Sequence, residues 1–254
     1  MKLSICIEMF WLETPFEERI ALAQKAGYMA FEFWNWSNKN LEQIRAAQSE
    51  TGLAVAGLVC EPGFSLALPH LSDDEHVKGA EASAKAAKSL NCSTLIITTG
   101  NVVAGETYEM TRRRVVRKLR RVAAVAADQG VTVVLEPLNP FVDHPGYWLA
   151  TMAQAMDIIT EVDSPHLKIL YDIYHQQITE GNIIANLKQY APWIGHIHVA
   201  GVPGRAELVG GDLDYRAIFK AIDEAGYDGY VGLELRPKHG EDGALAEARS
   251  LLEA

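Results

Sequence analysis

Cysteine is scarce, with Cys6, Cys60 and Cys92 the only three in 254 residues. So few, so scattered, exclude a disulfide framework or a thiolate metal site. Buried, reduced thiols in a cytoplasmic protein are the expectation. Long apolar runs are lacking as well. None approaches the roughly 18 residues that span a bilayer. The opening Met1-Lys2-Leu3-Ser4-Ile5-Cys6-Ile7 reads as a strand, whereas a leader's apolar core would precede a small-residue cleavage site. Positive charge is in deficit: 23 Lys and Arg stand against 33 Asp and Glu, for a net charge of -10. That balance disfavours nucleic acid, because phosphate binding draws on clustered cations for counterion release. It does not count against a metal site, whose field is local.

What is present is an ordinary soluble composition, 48% apolar and 22% charged. The length suits one domain, residues 1–254, of the size of a (β/α)₈ TIM barrel. Short apolar runs alternate with amphipathic segments from end to end. The runs predict strands at Leu3–Phe10, Ala30–Trp34, Ala54–Cys60, Thr94–Gly100, Thr132–Leu138, Leu167–His175, Ile194–Ala200 and Gly229–Pro237. They are nearly continuous in Val, Ile and Leu, as parallel strands covered on both faces are. Helices are expected at Pro15–Ala26, Asn40–Thr51, Glu75–Leu90, Tyr108–Gln129, Thr151–Val162, Asn182–Tyr190, Asp214–Ala225 and Gly243–Glu253. Thr14-Pro15 marks the start of the first and Gly27 its end, while Gly52, Gly130 and Gly226 close three more. Eight strands and eight helices in strict alternation point to an α/β barrel. An open doubly wound sheet is the rival, but no Gly-x-Gly-x-x-Gly follows the first strand.

Chemistry in such a barrel sits at the carboxyl ends of the strands. Each of the last four strands carries a carboxylate or imidazole there: Glu136, Asp172, His198 and Glu234. Three buried carboxylates meeting one imidazole would repel one another strongly without a cation. Oxygen-rich ligation with one nitrogen suits Mn²⁺, Mg²⁺ or Co²⁺, with Zn²⁺ also open. The bland alternative is four unrelated strand-end residues in ordinary salt bridges. His196 points to the same side of its strand as His198 but lies deeper, to support the ligand or simply to pack. His175, three residues beyond Asp172, stands where a loop is expected and either meets substrate or is exposed.

At these residues the chain resembles a known family. Met9-Phe10 through Thr14-Pro15-Phe16, Leu135-Glu136-Pro137-Leu138 and Asp172-Ile173-Tyr174-His175-Gln176 carry the likeness. So do Ala200-Gly201-Val202-Pro203-Gly204-Arg205-Ala206-Glu207, Asp214-Tyr215 and the stretch from Gly226-Tyr227 to Lys238. Together they resemble the xylose-isomerase-like barrel superfamily and, within it, the hydroxypyruvate isomerase group. Related ketose 3-epimerases share a Glu, Asp, His, Glu metal set whose two glutamates also act as acid–base groups. The resemblance therefore implies metal ligation by Glu136, Asp172, His198 and Glu234, and proton transfer by Glu136 and Glu234. Some hydroxypyruvate isomerases carry Gln in place of the strand-seven His, so His198 brings this chain closer to the metal-dependent members.

Both candidate reactions move a proton at a carbon beside a carbonyl. A metal-stabilised enediolate suits the conversion of hydroxypyruvate to tartronate semialdehyde and suits 3-epimerisation of a ketose. Arg205, Arg236 and Lys238 follow strands seven and eight, where these barrels commonly hold anions. Several cations at one pocket favour a small keto acid over a neutral ketose; surface cations are the alternative for Arg236 and Lys238. Glu32 on strand two is expected to face the mouth and hold Lys238 or a substrate hydroxyl. Arg112-Arg113-Arg114 with Arg117, Lys118, Arg120 and Arg121 spread over a broad arc of one helix, read as a solvated face. Phe10, Trp11, Trp34, Trp36, Tyr147 and Trp148 gather near strand ends, to wall the pocket or to bury against a second subunit of a homo-oligomer. A non-catalytic metal- or sugar-binding barrel is the competing class. No membrane is expected among the partners.

Overall fold

The computed structural model describes residues 1–252. Eight parallel strands close on themselves in sequence order: β1 (Lys2–Cys6), β2 (Ala30–Phe33), β3 (Ala54–Val59), β4 (Thr94–Ile97), β5 (Thr132–Leu135), β6 (Leu167–Asp172), β7 (Ile194–Val199) and β8 (Tyr230–Leu233). Closure is made by β1 and β8, which pair in parallel from Lys2 opposite Tyr230 to Ile5 opposite Leu233. Such pairing needs a crossover between strands, and the helices supply it. They are α1 (Glu18–Lys25), α2 (Leu41–Thr51), α3 (Asp73–Ser89), α4 (Tyr108–Gln129), α5 (Met152–Val162), α6 (Ile173–Thr179), α7 (Ile183–Tyr190), α8 (Tyr215–Glu224) and α9 (Glu241–Ser250). The expected (β/α)₈ barrel is the fold. Among the described residues no helix is long and apolar enough to cross a membrane.

All eight strands begin within one residue of the sequence expectation and end earlier than it. The expected ends run on because buried apolar residues continue past the sheet. Leu138 and Leu235 lie beyond β5 and β8 and are fully buried. Three helix starts are corrected, α9 beginning at Glu241 rather than at Gly243. Pro15 sits in the turn before α1, whose N-cap is Glu17 without a side-chain cap. Ser72 and Glu75 form a reciprocal capping box, so α3 begins at Asp73 rather than at Glu75. The expected last helix extended to Glu253, which lies outside the described residues.

The basic run on α4 is largely a set of ion pairs with neighbouring elements. Arg112 meets Asp157 and Glu161 at 2.5 and 2.6 Å, and Arg117 meets Asp73 at 2.7 Å. Lys118 departs from the expected solvated arc. It is buried, and its Nζ donates to the carbonyls of Leu66 and Leu68 at 3.1 and 2.8 Å, while Arg114 donates to the carbonyl of Ala67. Helix α4 thereby grips the segment that follows β3. The aromatic expectation also changes, because Phe10, Trp11, Tyr147 and Trp148 are already buried within this chain. Exposed apolar residues at the same end are Leu12, Phe64, Val102, Phe141 and Val142 instead.

Candidate active site at the carboxyl end of the barrel

Four adjacent strands deliver the central cluster. Glu136 follows β5 directly, with its N–H donated to the Ile97 carbonyl at 3.0 Å. Asp172 is the last residue of β6 and the N-cap of α6. His198 lies on β7 directly opposite Asp172 in the register, and Glu234 follows β8 with its N–H on the Val199 carbonyl. Strand pairing thus sets the height of each side chain. One donor atom from each of Glu136, Asp172, His198 and Glu234 lies within 4.8 Å of the others. From His198 Nδ1 the distances are 3.2 Å to Glu234 Oε2, 3.6 Å to Glu136 Oε1 and 3.9 Å to Asp172 Oδ2.

All four side chains are buried, yet His198 Nδ1 has no hydrogen-bond partner. A buried ring nitrogen facing three carboxylates without an aligned bond is costly on its own and fits a divalent cation. The protonation equilibria register the same crowding. Burial pushes the Glu136 carboxyl up to about 7, with Glu234 and Asp172 adding to it. Burial would raise Glu234 too, but Arg205 and then His198 hold it well below the usual carboxylate range. Burial would lower His198, and Glu32 and Glu234 overcome it, lifting the imidazole well above its ordinary value.

Arg205 belongs to the cluster. Its Nε donates to the Glu234 carbonyl at 3.1 Å, its Nη2 bonds the Glu234 carboxylate, and its guanidinium lies over the Tyr174 ring at 5.5 Å. His175 is fully buried on α6 rather than in a loop. Asn139 Nδ2 donates to its Nδ1 at 2.7 Å, which places the ring proton on Nε2, an atom without a hydrogen-bond partner that lies 3.7 Å from Asp172 Oδ2. Burial pushes this imidazole down to about 4, so it is neutral at pH 7.

Three other expected residues lie elsewhere. Arg236 and Lys238 are exposed, and neither forms a side-chain ion pair or hydrogen bond among the described residues. Lys238 lies instead across the backbone of Gly204. Glu32 does not hold Lys238. It lies inside the barrel, with Oε2 accepting from His196 Nε2 at 2.7 Å and Oε1 3.2 Å from His198 Nε2. Burial opposes its ionisation, yet His198 and His196 bring its carboxyl down to about 2.

Sequence reasoning missed two participants. Trp34 donates its indole N–H to Glu234 Oε1 at 2.7 Å, across 200 residues of chain. Asn139 joins His175 to Asp143, whose Oδ2 also accepts from the Tyr174 hydroxyl at 2.8 Å. Asn139 had a local signal, as a polar residue just past a strand that already carried a candidate ligand. Trp34 had only its strand-end position.

Comparison with known proteins places the chain among relatives. Residues 20–254 match the xylose isomerase-like TIM barrel family. The 2-oxo-tetronate isomerase of Cupriavidus necator is 34% identical over 247 residues, covering 94% of this chain and 94% of that protein. Hydroxypyruvate isomerase of Escherichia coli is 28% identical over 252 residues, with the same 94% of each chain covered. Among solved structures, a family 2 AP endonuclease from Brucella melitensis superposes with a TM-score of 0.91 at 26% identity over 97% of both chains.

Proposed function

Because the chain belongs to the xylose isomerase-like TIM barrel family, we propose that it is a one-domain, metal-dependent isomerase of a small keto acid. The preferred reaction is hydroxypyruvate to tartronate semialdehyde. One observation carries the reading: His198 Nδ1 stands without a hydrogen bond, facing Glu234, Glu136 and Asp172 at 3.2, 3.6 and 3.9 Å. Those four residues would hold Mn²⁺, Mg²⁺ or Co²⁺, with Zn²⁺ also compatible with the donor set. When bound, the ion supplies Lewis-acid stabilisation of the enediolate.

The chain's own groups account for the remaining roles. Glu136 and Glu234 stand on either side of the cluster, after β5 and β8, and serve as the proton carriers. One takes the proton from C3 of hydroxypyruvate, and a proton is returned at C2. Trp34 and Arg205 each bind one oxygen of Glu234 and keep it oriented. Arg205 is the cation for the keto acid's carboxylate. His175 offers a neutral Nε2–H to a substrate oxygen. The two named isomerase relatives support this class, and the acidic balance of the chain argues against nucleic acid as substrate. Three buried free cysteines suit a reducing, cytoplasmic setting.

The test is to give Mn²⁺-loaded protein hydroxypyruvate and, separately, ketohexoses in D₂O, and to follow both by NMR. Tartronate semialdehyde carrying deuterium at the new C–H is expected. Untouched hydroxypyruvate beside a ketose epimerised at C3 would overturn the keto-acid reading in favour of a ketose 3-epimerase. Inertness toward both would favour a binding barrel.

A further inference from the structure

Beneath the four-residue cluster lies a second group of buried ionisable side chains, Glu32, His196 and His198. It rests on a residue with no side chain of its own. Glu32 reaches across the barrel interior from β2 to β7, with its two oxygens on two different imidazoles, 2.7 Å from His196 Nε2 and 3.2 Å from His198 Nε2. No Lys or Arg pairs with it among the described residues. A carboxylate so deeply buried carries a desolvation penalty that its partners must recover. The space it occupies exists only because position 232 is glycine. Gly232 stands opposite His198 in the β7–β8 register, and a Cβ there would come within 1.9 Å of Glu32 Oε1 and 2.9 Å of His198 Cδ2. Any side chain at 232 would push the carboxylate off the imidazole.

We infer that Glu32 is a positioning residue that selects the ring nitrogen offered by His198 to the metal, and that Gly232 is glycine in order to admit it. This inference rests on the metal-site reading above. A neutral imidazole carries one proton, and the nitrogen that keeps it is set by the hydrogen bond that nitrogen makes. An ionised carboxylate only accepts. Glu32 Oε1 lies 3.2 Å from Nε2 as a charge contact rather than an aligned hydrogen bond. Once an ion offsets the three carboxylates at Nδ1, the charge of Glu32 favours the proton on Nε2 and leaves the lone pair on Nδ1, the nitrogen that faces Glu136, Asp172 and Glu234. His196 holds the other oxygen and fixes the carboxylate's orientation. Its ring stands at 82° to that of His198, with the centroids 5.0 Å apart.

The test reads metal affinity and tautomer rather than turnover. In zinc-loaded, ¹⁵N-histidine-labelled wild-type protein, His198 is expected to show a protonated Nε2, its proton shifted downfield, and a metal-bound Nδ1. Glu32→Gln, which keeps the shape and removes the charge, should bind Mn²⁺ about 10- to 100-fold more weakly in a chelator competition and lose the downfield signal. Gly232→Ala should weaken binding in the same direction with the Glu32 charge intact, separating placement from charge. Circular dichroism checks that both variants fold; should either fail, the wild-type spectrum and the other variant decide. Metal bound at Nε2 in the wild type, or folded variants with wild-type affinity, would overturn the inference and leave the metal site standing. Wild-type protein that binds no divalent ion would instead remove the metal reading, and this inference with it.

Discussion

Asp172 and His198 face each other across the β6–β7 pairing, and Asp172 divides its two oxygens between two tasks. Oδ1 accepts from the His175 N–H at 2.9 Å and caps α6, while Oδ2 lies 3.9 Å from His198 Nδ1. The helix cap therefore holds the free oxygen toward the cluster. A cap and a proposed metal ligand share one side chain, and substitution can separate them.

Asp172→Asn keeps a good N-cap but loses the anionic donor, whereas Asp172→Ala loses both. Each variant is expected to bind Mn²⁺ much more weakly than the wild type. In urea unfolding of the apoprotein, the Ala variant should be about 1 kcal/mol less stable than the Asn variant. Comparing the two with each other cancels the common loss of charge. Equal stabilities would show that the cap contributes nothing.

Glu136→Gln and Glu234→Gln should each leave the fold intact and lower kcat by at least ~10²-fold, the scale of a general acid–base group. Metal content has to be measured beside rate, because both residues also face the metal position. Near-normal turnover at full occupancy would remove the substituted residue from proton transfer.

Arg205→Ala should raise KM for hydroxypyruvate far more than for a neutral ketose. Only the acid loses a charge-assisted hydrogen bond worth about 1.5–3 kcal/mol. Lys238→Ala and Arg236→Ala serve as comparisons and should change KM little, since both side chains are exposed. Equal damage to both substrate types would assign Arg205 to holding Glu234 alone.

Metal affinity should rise with pH. In the apoprotein Glu136 keeps its proton up to about 7, and His198 keeps one to higher pH. A divalent ion has to displace these protons, so acid competes with metal and base relieves the competition. Mn²⁺ binding followed from pH 5 to 7 should tighten by about tenfold per pH unit for each proton displaced. A dissociation constant that does not change over that range would show that these groups are not the ligands.

The central cluster was legible because it combines two independent signals. Glu136, Asp172, His198 and Glu234 each interrupt an apolar run, and each does so at the end where barrel chemistry occurs. The deeper contacts were not legible, since they depend on closure. Glu32 meets His196 across 164 residues, and Trp34 meets Glu234 across 200. Neither distance leaves a mark in local spacing. Arg236 and Lys238 lie close to Glu234 in sequence, yet both are exposed and neither pairs with another side chain among the described residues. The strand ends were overextended for want of a local cue, because Leu138 and Leu235 are as buried in loops as they would be in a sheet.

The grip of α4 on the segment after β3 bears on which parts of the barrel's carboxyl end can move. Lys118 and Arg114 bind the carbonyls of three consecutive residues, Leu66, Ala67 and Leu68. A segment whose backbone is riveted to a 22-residue helix is a fixed jamb rather than a hinged door. Movement at the carboxyl end of the barrel would then belong to segments without such rivets, while the side near β3 keeps its position.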